Sequence, residues 1–180
     1  MIDARLLDAV GALVAAHATP DHAPLIGIAG AQGSGKTTLA RLAAERLGAA
    51  HLSLDDVYLI KSERETKGRA VHPLFAVRGP PGTHDLALLE RTVEALRAAG
   101  PDDCTPLPAF DKLADDRRPQ AEWPLFAGRP SAVLIDGWCL GATAQADTEL
   151  AAPINALERE RDGQGAWRRA VNAELAGPYA

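Results

Sequence analysis

Leu25-Ile-Gly-Ile-Ala29-Gly30-Ala-Gln-Gly-Ser-Gly-Lys36-Thr37-Thr38 is the stretch on which the fold turns. Pro24 to Ala29 is a short apolar run bounded by Pro and Gly, which suits a strand buried on both faces. The eight residues that follow satisfy GxxxxGK[ST]. With this chain's own residue frequencies about 0.002 such windows are expected by chance. Glycines at these positions let successive backbone N–H groups curl around phosphate oxygens, and the start of the following helix adds a favourable dipole. Gly30, Gly33, Ser34, Gly35, Lys36, Thr37 and Thr38 are therefore the candidate nucleotide contacts. Lys36 would neutralise β/γ-phosphate charge, and Thr37 would offer its hydroxyl to Mg²⁺. The alternative is a glycine turn that only caps a helix.

Outward from this loop the chain alternates in period. Ile2, Leu6, Val10, Leu13, Val14 and His17 recur at helical spacing, predicting a helix over 2–17 stopped by Thr19-Pro20. Leu39, Leu42, Ala43 and Leu47 mark a second helix ending at Gly48. A strand over 50–54 ends in Asp55-Asp56, and the charge-dense segment from Lys61 to Arg69 reads as a solvated helix or loop. Helices follow over about 85–99, 148–161 and 164–176. Residues 104–110 read as an edge segment because of Pro106 and Pro108, and 111–130 as a long irregular stretch. Ser131 to Asp136 is the clearest buried strand. This order implies right-handed crossovers and a mainly parallel α/β sheet in a three-layer sandwich.

The bulk properties agree. The 180 residues fit one domain spanning 1–180, with the N-terminal helix at 2–17 and the nucleotide and acceptor core at 24–180. Alanine supplies 36 residues, so the core is lean in large side chains. A net charge of −5 argues against nucleic acid or an anionic membrane surface as partner. No apolar run approaches the roughly 18 residues needed to span a bilayer. Asp3 and Asp8 interrupt any secretory core before Ala16-His17-Ala18, and Cys104 and Cys139 form no CxxC pattern, so a reduced, cytoplasmic setting is expected. Oligomeric state is left open.

Two acidic positions complete the chemistry. Asp136 ends an apolar strand where a Mg²⁺-holding acid belongs beside a phosphate loop, although Asp-Gly is also a common turn pair. Asp55 ends the strand after the loop's helix, at the same sheet edge. There a carboxylate can orient an acceptor hydroxyl and take its proton, or else cap a turn. A guanine-specific GTPase would carry Asn-Lys-x-Asp, but neither Asn155 nor Asn172 precedes Lys, and Leu-Ser-Gly-Gly is absent as well. The pattern suits a small-molecule kinase using ATP and Mg²⁺.

Ser53-Leu-Asp55-Asp56-Val-Tyr58 resembles the Ser-x-Asp-x-Phe-Tyr signature of the phosphoribulokinase and uridine kinase superfamily. Arg78-Gly-Pro-Pro-Gly-Thr-His84-Asp85, Pro108-Ala-Phe-Asp111-Lys112 with Asp116-Arg117, and Ile135-Asp136-Gly137-Trp138-Cys139 are similar to the plant-type D-glycerate 3-kinase group. The resemblance implies transfer of the γ-phosphate of ATP to the 3-hydroxyl of D-glycerate. It makes Asp55 the catalytic acid and places Tyr58, Arg78, His84, Asp85, Lys112 and Arg117 on the acceptor side, where Arg or Lys can hold a carboxylate. Surface solvation for Arg78 and Arg117, and helix capping for His84 and Asp85, are the competing readings. Asp136 stands where the group often has Glu, and Asp115 where it tends to have Gly. In the resembling kinases a further strand, a lid arginine and an adenine-contacting segment follow the positions matched by Trp167, Asn172 and Tyr179, so the resemblance implies that these elements are expected to be missing from the 180 residues. A nucleoside, pantothenate or another sugar acid as acceptor, or nucleotide binding without transfer, are the other expectations.

Overall fold

The computed structural model describes residues 2–20 and 22–180. Helix α1 (Ala4–His17) is capped by the Asp3 carboxylate, which accepts from Arg5 N at 2.9 Å. Strand β1 (Leu25–Ala29) leads through the glycine loop into α2 (Lys36–Leu47), which Gly48 ends in the left-handed region at φ 65°. Strand β2 (Ala50–Ser53) passes into a 3-10 turn at Leu54–Asp56, so Leu54 starts the turn instead of ending the strand. Helices α3 (Lys61–Ala70) and α4 (Leu86–Ala98) follow, then short strands β3 (Cys104–Pro106), β4 (Phe110–Asp111), β5 (Asp116–Arg117) and β6 (Leu125–Ala127). Strand β7 (Val133–Gly137) and helices α5 (Ala156–Arg161) and α6 (Ala166–Ala176) complete the chain.

The main sheet runs β1-β7-β2, with both pairings parallel. The last main strand in sequence is thus the central one, and all five of its residues are buried, as an uninterrupted apolar run requires. Register sets Asp136 between Ile28 and Ser53, so its carboxylate leaves the sheet between the phosphate-loop strand and the strand that delivers Asp55.

Each face of the sheet buries a separate cluster. Val10, Val14, Ala40, Ala43, Ala44 and Leu134 join α1 and α2 to one face, and Leu52, Val93, Leu96, Val133 and Ile135 join α4 to the other. The result is the expected three-layer sandwich. Alanines at 40, 43 and 44 let α2 lie close to the strands, which is how a sequence rich in Ala still packs densely. Among the described residues, no helix is long and apolar enough to cross a membrane.

Four sequence expectations need correction. Strand β1 is not buried on both faces: it lies at the edge of the main sheet, and of its five residues Ile28 alone is buried, with Leu25 47% exposed. The stretch 111–130 is not irregular throughout: β4 and β5 form an antiparallel hairpin, and β6 pairs antiparallel with β3, off the main sheet. Only residues 156–161 of the helix expected over 148–161 are helical. Pro153 disfavours helix at the residue before it, and the Asn155 side chain caps the helix by accepting from Glu158 N at 2.9 Å. The charged segment 61–69 is indeed helical, but it is not simply solvated. Arg64 is fully buried and donates to the carbonyls of Leu59, Ala76 and Asp115 at 3.1, 3.2 and 2.6 Å.

Candidate functional site

The phosphate loop has the backbone that its glycines permit. Gly33 and Gly35 lie at φ 75° and 89°, in the left-handed region that disfavours residues with a Cβ. At Gly30 a Cβ would come 2.9 Å from Ser34 Oγ. Lys36 opens α2, and among the described residues no carboxylate pairs with its ammonium group.

From this loop a hydrogen-bonded network runs along the carboxyl edge of the sheet. Thr37 Oγ1 donates to Asp136 Oδ1 at 3.1 Å, and Ser53 Oγ donates to the same oxygen at 3.2 Å. His51 Nε2 meets Asp136 Oδ2 at 2.7 Å. Ser53 Oγ also accepts from Asp55 N at 3.3 Å, so one hydroxyl links the two candidate acids. His51 escaped the sequence reading, and Ser53 entered it only as the first residue of the Ser-x-Asp signature, with no role assigned. Their alternation with Leu52 puts both on one face of β2, and that signal was available.

The donor set suits Mg²⁺. This cation takes one or two carboxylates together with phosphate oxygens and water, so the Thr37 hydroxyl beside the Asp136 carboxylate, at the mouth of a phosphate cradle, is a fitting oxygen pair. Among the described residues no cluster of three or more His, Cys, Asp or Glu offers a self-sufficient metal cage.

Asp55 is clamped. Tyr58 OH donates to Oδ1 at 2.8 Å and Lys112 Nζ to Oδ2 at 2.6 Å. Burial pulls its pKa up, but the hydrogen bonds from Lys112 and Tyr58 outweigh this and hold the carboxyl below its ordinary range. Asp56 differs: among the described residues its side chain accepts from Phe110 N alone, at 3.4 Å, and burial pushes its pKa up. The two adjacent acids thus differ in environment, and Asp55 is the one with side-chain donors on both oxygens. The Lys112 stem rises from the β4–β5 turn, which Asp111 Oδ1 shapes by accepting from the N–H groups of Leu113 and Ala114.

Behind Asp55 the segments 57–59 and 83–85 are zipped together: Asp85 N donates to Val57 O at 2.7 Å and Leu59 N to Thr83 O at 2.9 Å. The Tyr58 ring stacks on His84 with centroids 4.6 Å apart and meets the edge of Phe110 at 5.3 Å. His84 Nδ1 lies 2.5 Å from Tyr179 OH, which also accepts from Gly82 N at 3.1 Å. The structure thus gathers Tyr58, His84 and Lys112 around Asp55. Asp85 caps α4 through Leu88 N at 2.9 Å and pairs with Arg117 at 3.0 Å, while Arg117 also holds Tyr58 O at 2.8 Å. Arg78 pairs with Asp115 and lies over the Phe110 ring at 5.6 Å.

Burial pushes His84 down to about 4, only partly offset by the negative charge of Asp55. The ring is therefore neutral at physiological pH. Between its ordinary pKa near 6.5 and about 4 the unfolded chain binds a proton that the folded chain does not. Stability from this group is complete above pH 6.5 and declines as pH falls through that window, by roughly 3 kcal/mol in all. Urea unfolding between pH 7 and 4.5 is expected to show this loss, and His84→Asn to flatten it. An unchanged slope in the variant would assign the loss to other groups.

No family model matches the chain, and no curated protein sequence does. Solved structures do match. The D-glycerate 3-kinase from Cryptococcus neoformans is 25% identical with a TM-score of 0.69, over 96% of this chain and 65% of that one. The YGR205w protein is 24% identical with a TM-score of 0.67, over 97% and 64%. A putative fructose transport system kinase from Silicibacter is 23% identical with a TM-score of 0.58, over 93% and 87%. The chain thus spans 64 to 65% of the length of the first two. In its three-layer fold and its phosphate loop the chain resembles the P-loop kinases of the phosphoribulokinase and uridine kinase superfamily, D-glycerate 3-kinase among them.

Proposed function

We propose that the protein is an ATP-dependent kinase of a small hydroxy acid, with D-glycerate as the acceptor. The observation that carries this reading is the continuous network from Thr37 through Asp136 and Ser53 to Asp55, an ionised carboxylate with a lysine ammonium on it. It links a phosphate cradle to a proton acceptor and a cation, which are the parts that phosphoryl transfer to an acid requires.

The acceptor hydroxyl oxygen attacks the γ-phosphorus, the bond to the β-phosphate bridging oxygen breaks, and ADP leaves. Asp55 orients the hydroxyl and takes its proton as the new bond forms. Tyr58 holds the carboxylate in one rotamer, so little orientation is lost on binding. Lys112, over half exposed on a flexible stem beside Asp55, and Arg78 together can hold the acceptor's carboxylate. Lys36 balances charge on the β- and γ-phosphates. Thr37 and Asp136 would hold Mg²⁺, and the chemistry it would supply there is neutralisation of phosphate charge.

Purified protein with Mg-ATP is expected to release ADP in a D-glycerate-dependent manner, with phosphoglycerate as the product detected by mass spectrometry. Turnover with a nucleoside, pantothenate or a different sugar acid, and none with glycerate, would reassign the acceptor. Mg-ATP binding with no ADP release from any acceptor would reduce the function to nucleotide binding.

A further inference from the structure

The β4–β5 turn that carries Lys112 onto Asp55 also carries Asp115, three residues on. Asp115 is the one non-glycine residue with positive φ among the described residues, at 55°. A residue with a Cβ in this region carries backbone strain that glycine would avoid. The strained residue spends its carboxylate on two guanidiniums: Oδ1 accepts from Arg78, and Oδ2 lies 3.1 Å from Arg64. The two arginines flank Phe110 at 5.6 and 5.8 Å. Among the described residues no second carboxylate pairs with either, so two positive charges share one negative charge.

The two arginines are not equivalent. Arg64 is fully buried and has three backbone carbonyls as partners besides Asp115's side chain. Arg78 is partly exposed, and among the described residues its one polar partner is Asp115. It lies one ring away from Tyr58, because Phe110 contacts both, and Tyr58 holds Asp55. Asp115 is itself about one third exposed, so its carboxylate has room to leave.

We propose that Asp115 is a specificity-determining residue of the acceptor site, competing through its own carboxylate with an acceptor carboxylate for Arg78. This deepens the hydroxy-acid reading and rests on it for the identity of the acceptor. Asp115 already balances the single charge of Arg78, so although that guanidinium has further N–H groups, an acid acceptor gains the full charge-assisted pair only by displacing Asp115 from it. A neutral polyol gains nothing from that displacement. The native residue therefore narrows the preference of the site for acids over neutral hydroxyl compounds, and removing it widens that preference.

The test uses binding and turnover as separate readouts. Asp115→Gly suits the left-handed backbone, and Asp115→Asn keeps an acceptor oxygen without the charge. Both variants leave the buried Arg64 guanidinium its carbonyl partners but no carboxylate, so a lower melting temperature is expected, and an unchanged circular dichroism spectrum and Mg-ATP affinity at 20 °C verify folding. Calorimetry on the full chain with Mg-ADP is expected to show D-glycerate binding about tenfold tighter in both variants, with glycerol unaffected. Arg78→Gln added to either variant is expected to erase the gain. In turnover the change is expected in KM for glycerate, with kcat held within about twofold. Glycerate binding that is unchanged, that rises equally for glycerol, or that survives loss of Arg78 overturns the proposal. Failure of the kinase reading shows separately, as absent glycerate-dependent ADP release in all variants whatever calorimetry finds.

Discussion

Lys36→Ala is expected to abolish measurable acceptor-dependent ADP release, with kcat falling by about 10²–10³ or more, the scale on which one preorganised charge stabilises a transition state. The ammonium is the first side chain of α2, next to a loop whose left-handed glycines leave backbone N–H groups free for phosphate. Those dipoles are partial charges, and Lys36 adds a full one where negative charge moves from the γ- to the β-phosphate. The same side chain makes no hydrogen bond or ion pair with the described residues, so its removal costs the folded chain little. The melting temperature without nucleotide is therefore expected to stay within about 2 °C of wild type. The stabilisation by Mg-ATP should shrink, because ligand-linked stability follows RT ln(1 + [L]/Kd), about 2.7 kcal/mol at 100 times Kd. A variant that keeps both turnover and nucleotide-linked stabilisation would show that the loop is a helix cap and not a phosphate site.

How far such an argument can begin from sequence differs between parts of the molecule. The loop and strands β1 and β7 are legible as elements because the signals are local: a fixed spacing of glycines, and uninterrupted apolar runs, although such a run means double coverage for the central β7 and not for β1 at the sheet edge. That β7 lies between β1 and β2 is a property of the crossovers, and no residue of β7 announces it. The small strands β3 to β6 are two or three residues long, too short to show a period, so the segment holding Lys112 and Asp115 reads as irregular. Arg64 was hidden for a related reason. Its neighbours are charged and solvated, while the carbonyls that let a guanidinium be buried come from residues 59, 76 and 115, and no sequence spacing encodes that meeting. The candidate acceptor-side residues could therefore be read only as residue types. Which of them pair with one another was not legible, and those pairings separate Lys112 on Asp55 from Arg117 on Asp85.

Asp55→Asn is expected to lower kcat by about 10²–10⁴, the usual worth of a positioned general base, while leaving Mg-ATP affinity unchanged. Asparagine keeps the shape of the side chain and an oxygen for the Tyr58 hydroxyl, but it cannot take a proton. The wild-type carboxyl is kept ionised: burial alone would raise its pKa, and the Lys112 and Tyr58 hydrogen bonds more than reverse that. Because the folded-state pKa is depressed, the ionised group contributes stability above its unfolded-state pKa, and this is lost as pH falls through the folded-state value. At neutral pH the contribution is present, yet Asp55 is about 41% exposed, and an ion pair so open to solvent stabilises little. The variant should therefore melt close to wild type at pH 7, so that the loss of rate reports chemistry and not folding. Lys112→Met refines the assignment. Without the ammonium the Asp55 pKa rises, so the acid limb of kcat/KM should move to higher pH, and in Asp55→Asn that limb should vanish. An Asp55→Asn enzyme with undiminished turnover and an unaltered pH profile would take Asp55 out of the reaction and leave it as a partner that merely holds Lys112 and Tyr58 in place.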